Sequence, residues 1–229
     1  MRRMEAASAA RGGTMKLYDA GWAPSPRRVR MFLTEKGVDL AAAGIERVTV
    51  DLGAGGQFDP DFLRINPRGT VPVLVLDNGL AIADSVAICR YFEALHPEPC
   101  LFGATPIDQA ATEEWTRIVE HEGYAAVVYA FRNRSRAMVG RALAGRWPEM
   151  PQIPELVARG QAMWGCFIDR LEARLADRMW LATDAFGFAD LSAFVTLDFA
   201  VATRLSDGAF PPAIARWHAA IAARESAGA

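Results

Sequence analysis

Cysteine and histidine are scarce in this sequence, and their scarcity argues against two kinds of site. The cysteines are Cys89, Cys100 and Cys166, an odd number without a Cys-x-x-Cys pair, so neither a disulfide framework nor a zinc site is indicated. The three histidines show no metal-ligand spacing, and we predict no metal site. So few cysteines favour a reducing compartment, and we therefore expect a cytoplasmic protein.

Net charge is also small, and long apolar runs are missing. The 25 basic and 27 acidic side chains give a net charge of -2, which offers no electrostatic footprint for nucleic acid or an anionic membrane. No run approaches the roughly 18 apolar residues of a membrane span. Residues 1–14 lack the apolar core of a signal peptide, and we predict a disordered tail or an upstream start extension there. Small neutral or zwitterionic ligands fit this composition better.

The most informative feature that is present is a proline at the head of a buried strand. Pro72 precedes the apolar run at 73–76, although a proline cannot donate to a sheet ladder. A Val-Pro bond at this position can be cis, which would turn the N–H and C=O of Val71 outward as an unpaired donor and acceptor. Such a pair suits a ligand that has a peptide backbone of its own.

Periodicity and turn residues predict an α/β unit over residues 15–97. The predicted elements are a strand at 15–19, a helix at 26–36, a strand at 47–51, a short helix at 59–65, a hairpin of 72–77 with 80–83, and a helix ending before Pro97. Ser25 is expected to cap the first helix, and Asp84 or Ser85 the last. One parallel crossover and one Asn-Gly hairpin predict a mixed four-stranded sheet.

The rest of the chain reads as helical. A Pro-rich linker is predicted at 98–104, and every strong pattern over 105–229 has helical spacing. The most apolar of these helices should begin near Gly187, because Asp190 can reach back to the N–H of Gly187 as half of a capping box. We therefore predict an all-α domain at 105–229.

Four motifs in this order resemble the cytosolic glutathione transferases, particularly a bacterial and fungal subgroup. The motifs are Ser-Pro-Arg-Arg-Val-Arg at 25–30, Asn-Pro-Arg-Gly-Thr-Val-Pro at 66–72, Asp-Ser-Val-Ala-Ile at 84–88 and Phe-Ala-Asp at 188–190. The resemblance covers residues 15 to about 224. It implies a thioredoxin-like N-terminal domain, an all-α C-terminal domain, glutathione as co-substrate, and a homodimer.

The same resemblance assigns the glutathione-binding residues. It places the main chain of Val71 against the cysteinyl backbone of glutathione and makes Pro72 the cis-proline. Asp84 and Ser85 would hold the γ-glutamyl end, because the first N–H groups of a helix bind a carboxylate well and Asp84 can pair with the amine. The candidates for the glycyl end are Gln57 and Arg68.

The group that activates the thiol stays open at this stage. Ser25 could donate to the sulfur through its hydroxyl or its N–H, and in another alignment Ala23 occupies the slot and could donate only through its backbone. Some members of the subgroup use a Ser and a His on a helix, but 127–133 contains neither. Arg132, Asn133 and Tyr129 are the polar groups left in that stretch.

The predicted function is conjugation of glutathione to an apolar electrophile, as in detoxification. The electrophile pocket is expected to contain Trp22, Tyr124, Val128, Phe131 and Arg132. The alternative is a glutathione-fold binding protein with little or no turnover. Disulfide exchange at a protein thiol is not expected, since the loop before the first helix has no cysteine.

Overall fold

The computed structural model describes residues 14–229, and its N-terminal part is built on a mixed four-stranded sheet. The strands are β1 (Met15–Asp19), β2 (Ile45–Thr49), β3 (Val73–Val75) and β4 (Ala81–Ile82), in the order β2-β1-β3-β4. β1 pairs in parallel with β2, and β3 pairs antiparallel with both β1 and β4. The predicted sheet is therefore confirmed. Of the predicted tail, only Thr14 falls within the described residues.

Three helices flank this sheet. They are α1 (Pro24–Glu35), α2 (Pro60–Ile65) and α3 (Ser85–Leu95). β2 begins two residues earlier than predicted, because its register follows the five residues of β1 from Met15 opposite Ile45 to Asp19 opposite Thr49. β2 ends at Thr49, and beyond it Val50 N still donates to Asp19 O at 2.7 Å.

The start of α1 also differs from the prediction. The helix begins at Pro24, its N-cap is Ala23, and no side chain caps it, so Ser25 is a residue of the first turn rather than the cap. Proline is well suited to the first turn, since its fixed φ is helical and its missing N–H would be unpaired there anyway. Two prolines one residue apart, Pro24 and Pro26, both occupy this turn.

After α3, all the elements longer than four residues are helices. These elements are α4 (Pro106–Ile118), a π-helical segment (Val119–Tyr124), α5 (Ala125–Arg134), α6 (Pro154–Leu175), α7 (Phe188–Ala202) and α8 (Pro212–Ala222). The most apolar helix, α7, is buried along most of its length. As predicted, Asp190 accepts a hydrogen bond from Gly187 N at 3.1 Å, and it also accepts from Leu181 N and from Trp217 Nε1. The exact domain boundaries remain a prediction.

Helix α1 and helix α7 pack together and join the two parts of the molecule. Phe188 lies against Phe32 and stacks on Phe102, with ring centroids 6.0 and 4.3 Å apart. At the other end of this contact, Arg27 donates to Asp198 at 2.6 Å.

Among residues 14–229, no helix combines the length and the hydropathy that a membrane crossing requires.

Candidate active site

A cleft of about 250 Å³ lies where the sheet and the helices meet. Its walls come from the β1–α1 loop, the turn before β3, the start of α3, helix α5 and the segment that follows α5. The sequence-predicted site residues all line it: Trp22, Ser25, Gln57, Arg68, Val71, Pro72, Asp84, Ser85, Tyr124, Val128, Phe131 and Arg132. The fold thus collects in one place residues that are far apart in the sequence.

The turn before β3 presents unpaired backbone to the cleft. The Val71–Pro72 bond is cis, and neither the N–H nor the C=O of Val71 has a protein partner within residues 14–229. The side chain of Asn66 stabilises the turn through two hydrogen bonds. Its nitrogen donates to Thr70 O at 2.8 Å, and its Oδ1 accepts from Arg68 N at 3.1 Å. A peptide-like ligand could pair with Val71 as an added strand does.

The N-terminus of α3 forms the next wall. Asp84 is the N-cap, and its Oδ1 accepts from Ala87 N at 3.0 Å. The N–H groups of Ser85 and Val86, by contrast, have no partner in the described part of the chain. Ser85 is buried. Two free N–H groups and a hydroxyl at a helix N-terminus suit a carboxylate, because the helix dipole favours negative charge there.

A buried arginine lies behind this wall, and it is absent from the sequence-based predictions. Arg28 is 4% exposed and donates from Nη1 to Glu120 Oε1 at 3.0 Å, with Ser85 Oγ 3.5 Å from the same nitrogen. The sequence does contain an indication that Arg28 is buried, because it lies four residues before Phe32, on the apolar face of α1. A charge on such a face requires a partner, which here is Glu120 from the π-helical segment.

Ser25 supplies the only donors of the first turn of α1 that are unpaired among the described residues. Pro24 and Pro26 have no N–H, and the N–H of Arg27 is bonded to Ala23 O at 3.1 Å. The N–H and the hydroxyl of Ser25 therefore remain free beside the cleft. Donors at a helix N-terminus can lower the pKa of a thiol from its usual value of about 8.5.

Gln57 and Arg68 border the cleft beside the turn before β3. Gln57 is buried, and its Oε1 has no hydrogen-bond partner among residues 14–229. Arg68 is exposed, and its guanidinium forms no ion pair with a carboxylate in that part of the chain. Both side chains therefore keep free polar atoms that a ligand could use.

The opposite wall of the cleft is aromatic. Phe199 of α7 stacks on Tyr124 and meets Phe131 edge to face, each at a centroid distance of 6.0 Å. Trp22 borders the cleft from the β1–α1 loop and is 61% exposed. The apolar or aromatic lining residues that were not predicted include Met138, Leu143 and Phe199. They lie after α5 and in α7, where sequence spacing alone does not indicate a cleft.

Two polar residues considered for thiol activation have other roles in the structure. Arg132 lines the cleft, but its Nη1 donates to Arg141 O at 2.9 Å and to Leu143 O at 3.0 Å. Asn133 is buried and does not line the cleft; its amide donates to Tyr129 O and its Oδ1 accepts from Ile153 N. Both residues anchor the segment between α5 and α6, which weakens the case for either as the thiol activator.

The break between α4 and α5 also shapes the cleft. The π-helical segment Val119–Tyr124 changes the helix register, so Glu120 reaches Arg28 while Tyr124 lines the cleft. Gly123 lies in this segment, and a Cβ there would come within 2.7 Å of the Phe167 ring. The glycine thus permits α6 to pack closely behind the cleft wall.

Comparison with known proteins agrees with this geometry. Residues 22–95 match the family model for the glutathione S-transferase N-terminal domain, and residues 165–225 match the model for the glutathione S-transferase C-terminal domain. Glutathione S-transferase 2 of Saccharomyces cerevisiae is 31% identical over 93% of this chain and 87% of the yeast protein. This chain belongs to the glutathione S-transferase family. The suspected resemblance is confirmed, and so is glutathione as the co-substrate of the family.

Solved structures of glutathione S-transferases extend the agreement to the whole fold. The crystal structure of Gtt2 from Saccharomyces cerevisiae superposes with a TM-score of 0.81 at 29% identity, covering 93% of this chain and 98% of the yeast chain. A glutathione S-transferase domain-containing protein of Marinobacter aquaeolei has the same TM-score at 31% identity, covering 92% and 98%. The predicted combination of a thioredoxin-like domain with an all-α domain is confirmed.

One similar protein carries a different activity in its name. Disulfide-bond oxidoreductase YfcG of Escherichia coli is 28% identical over 93% of both chains. Membership of the glutathione S-transferase family therefore identifies an enzyme that uses glutathione, while the reaction and the second substrate have to be argued from the cleft itself.

Proposed function

We propose that this protein joins the sulfur of glutathione to an electrophile that lies in the aromatic half of the cleft. The observation that supports this most directly is the position of Ser25. Its free N–H and hydroxyl border the same cleft as the candidate glutathione-binding residues and the aromatic wall. A sulfur bound there would be close to both its activating donors and its reaction partner.

In the proposed complex, the backbone of Val71 pairs with the cysteinyl residue of glutathione. The γ-glutamyl carboxylate accepts from the N-terminus of α3 and from Ser85, while Asp84 pairs with the amine. Arg68 and Gln57 receive the glycyl end, where Arg68 would supply a charge-assisted contact. The unpaired atoms of these residues support this placement.

The proposed reaction is nucleophilic substitution or addition. The thiol loses its proton to solvent, and the thiolate is stabilised by the two donors of Ser25. Its electron pair forms a sulfur–carbon bond to the electrophile. In a substitution, the leaving group departs with the pair of the bond that breaks; in an addition, the substrate takes up a proton from water. The protein contributes thiolate stabilisation and proximity.

The test combines binding with turnover. Calorimetric titration with glutathione and a spectrophotometric assay with chlorodinitrobenzene should show both binding and saturable conjugation. Binding of glutathione with no turnover across a broad panel of electrophiles would favour the alternative, a glutathione-binding protein without catalysis. If the protein reduces a mixed disulfide of glutathione and does not conjugate electrophiles, it would be assigned as a disulfide oxidoreductase, the activity that the name of YfcG states.

We also propose a homodimer, a role in detoxification and a cytoplasmic location. The family relationship supports the first two, and the three cysteines, all free, are consistent with the third. Light scattering of the purified protein tests the dimer, and fractionation of cells tests the location.

A further inference from the structure

The electrophile half of the cleft carries positive charge, and within residues 14–229 no acidic side chain lines that half. Arg132 and Arg141 both line it, whereas Asp84, the acidic residue among the cleft's lining residues, lies across the cleft at the start of α3. Neither guanidinium forms an ion pair with a carboxylate of residues 14–229; the bonds that they make there go to backbone carbonyls and to the sulfur of Met138. Surfaces of this kind attract anions.

The two arginines differ in how exposed they are: Arg132 is partly buried, whereas Arg141 is exposed. Arg132 is partly buried, and one nitrogen already bonds to two carbonyl oxygens. Burial lowers the pKa of the Arg132 guanidinium, and the nearby charge of Arg141 adds to that lowering. Arg141 is exposed at the cleft wall and donates only from Nη2, to Ala137 O at 2.9 Å, within the described residues. Its remaining donors are available to a ligand.

Arg141 stands on a segment that is held in place at several points. The backbone of Gly140 accepts from Met150 N at 2.9 Å, which joins the two sides of the segment. Farther along, Arg146 N donates to Arg68 O at 2.7 Å, and Gly145 approaches so closely that a Cβ there would lie 2.6 Å from the same oxygen. A charge on a segment fixed in this way can select a ligand group by position.

We infer that the preferred electrophiles carry a carboxylate or a similar anionic group on an aromatic body, and that Arg141 receives this group. The inference rests on the proposed function, and it adds a substrate class to it. The aromatic body would lie against Tyr124, Phe131 and Phe199, where stacking and burial favour flat apolar groups. The anionic group would then meet the free donors of Arg141 in a charge-assisted hydrogen bond.

The test uses equilibrium binding of a matched pair of inert compounds, dinitrobenzoate and dinitrobenzamide, to the protein loaded with glutathione. Both are used as the 3,5-dinitro isomers, in which no halide is present and the nitro groups do not activate each other for displacement, so the result does not depend on turnover. They share one ring and differ in carrying a carboxylate or a neutral carboxamide. We expect the native protein to bind the benzoate about tenfold more tightly than the amide. Arg141→Met should abolish this preference, and Arg141→Lys should restore part of it.

Arg136→Met is the matched control, because Arg136 lies in the same segment but does not line the cleft. It should leave the preference within about twofold, as expected for a screened surface charge. Equal affinity of the native protein for both compounds would overturn the inference. So would an equal loss for both compounds in Arg141→Met, since that would indicate lost packing and not recognition of charge. Chlorodinitrobenzene turnover of the native protein is measured in parallel, and its failure would count against the proposed function alone.

Discussion

The two halves of the cleft are built from different kinds of groups. The half proposed for glutathione consists largely of backbone groups: Val71 beside its cis-proline, and the N-termini of α1 and α3. The half proposed for the electrophile consists of side chains from α5, from the segment after it and from α7. Backbone donors persist through most substitutions, whereas side chains change with a single substitution.

This difference separates what the protein keeps constant from what it can vary. A ligand recognised by backbone and helix N-termini is retained as long as the fold is retained. A pocket formed by apolar side chains discriminates weakly among apolar ligands, because one methylene group changes binding by only about 1 to 3 kcal/mol. Substitutions should therefore divide into those that act on glutathione and those that act on the second substrate.

The largest effect is expected in the glutathione half. Ser85→Ala removes a hydroxyl that would donate to a carboxylate, and we expect glutathione binding to weaken by about 1 to 3 kcal/mol. The chlorodinitrobenzene KM, measured at saturating glutathione, should stay constant. Calorimetric titration gives the affinity, with Ser206→Ala as a matched change outside the cleft. Unchanged affinity for glutathione would remove Ser85 from the proposed site.

Ser25→Ala is expected to act on rate instead of affinity. It removes the hydroxyl and leaves the N–H, so one of two donors to the thiolate remains. We expect kcat to fall about tenfold with little change in glutathione affinity, and the pH profile of kcat/KM to shift to higher pH because the thiol pKa rises. If Ser25→Ala keeps the native rate and pH profile, activation would be assigned to the backbone N–H of residue 25. Ser25→Pro removes that N–H, and its pH profile tests this assignment.

A smaller effect is expected in the electrophile half. Phe131→Leu removes the ring that meets Phe199 edge to face, and such pairs contribute about 0.5 to 1.5 kcal/mol beyond their burial. The KM for aromatic electrophiles should rise a few-fold while the affinity for glutathione is unchanged. Phe210→Leu is the control, since Phe210 packs against His218 and does not line the cleft. A parallel loss of glutathione affinity would show that the two halves are not independent.

The smallest effect concerns the contact between α1 and α7 that joins the two parts of the molecule. Burial would raise the pKa of Asp198, but hydrogen bonds from His218 and Arg27 outweigh it, and the pKa is lowered below its usual value of 3.8. The stabilisation is therefore present above pH 3.8 and is lost as the pH falls through the lower pKa of the folded protein. Asp198→Asn should cost about 1 kcal/mol of unfolding free energy at neutral pH, and progressively less as the pH falls below 3.8.

Urea unfolding at several pH values measures this difference, and Asp207→Asn serves as an exposed control. The same cost at pH 3 and at pH 7 would show that Asp198 acts through packing and not through its charge.

The sequence predicted the cis-proline and the helix caps well because these features are local. A proline before an apolar run, an Asp-Ser pair at a helix start and an Asp three residues after Gly187 each have a short-range physical reason, and the cis bond and both caps are present. The error at Ser25 has a similarly local cause. Ser is a good N-cap and Pro26 a good first residue, but Pro24 fits the first turn equally well, so the helix starts two residues earlier.

The groups that were not predicted all depend on contacts between distant segments. Arg28 is explained only by Glu120, which reaches it through the π-helical segment. Phe199 enters the cleft because α7 packs against α5, and Arg141 because the segment after α5 returns to the turn at Arg68. No local periodicity encodes such contacts, since they form only when separate elements pack together.

By itself, the sequence determined the family, the mixed sheet with its helical partner, and the residues that present backbone to the cleft. These follow from proline geometry, capping and periodicity, which act over a few neighbouring residues. Only the tertiary structure decided which side chains form the second half of the cleft and which polar groups are free to bind. Arg132, Asn133 and Arg141 look equally available in the sequence, but packing buries Asn133, partly buries Arg132 and leaves Arg141 exposed at the cleft wall.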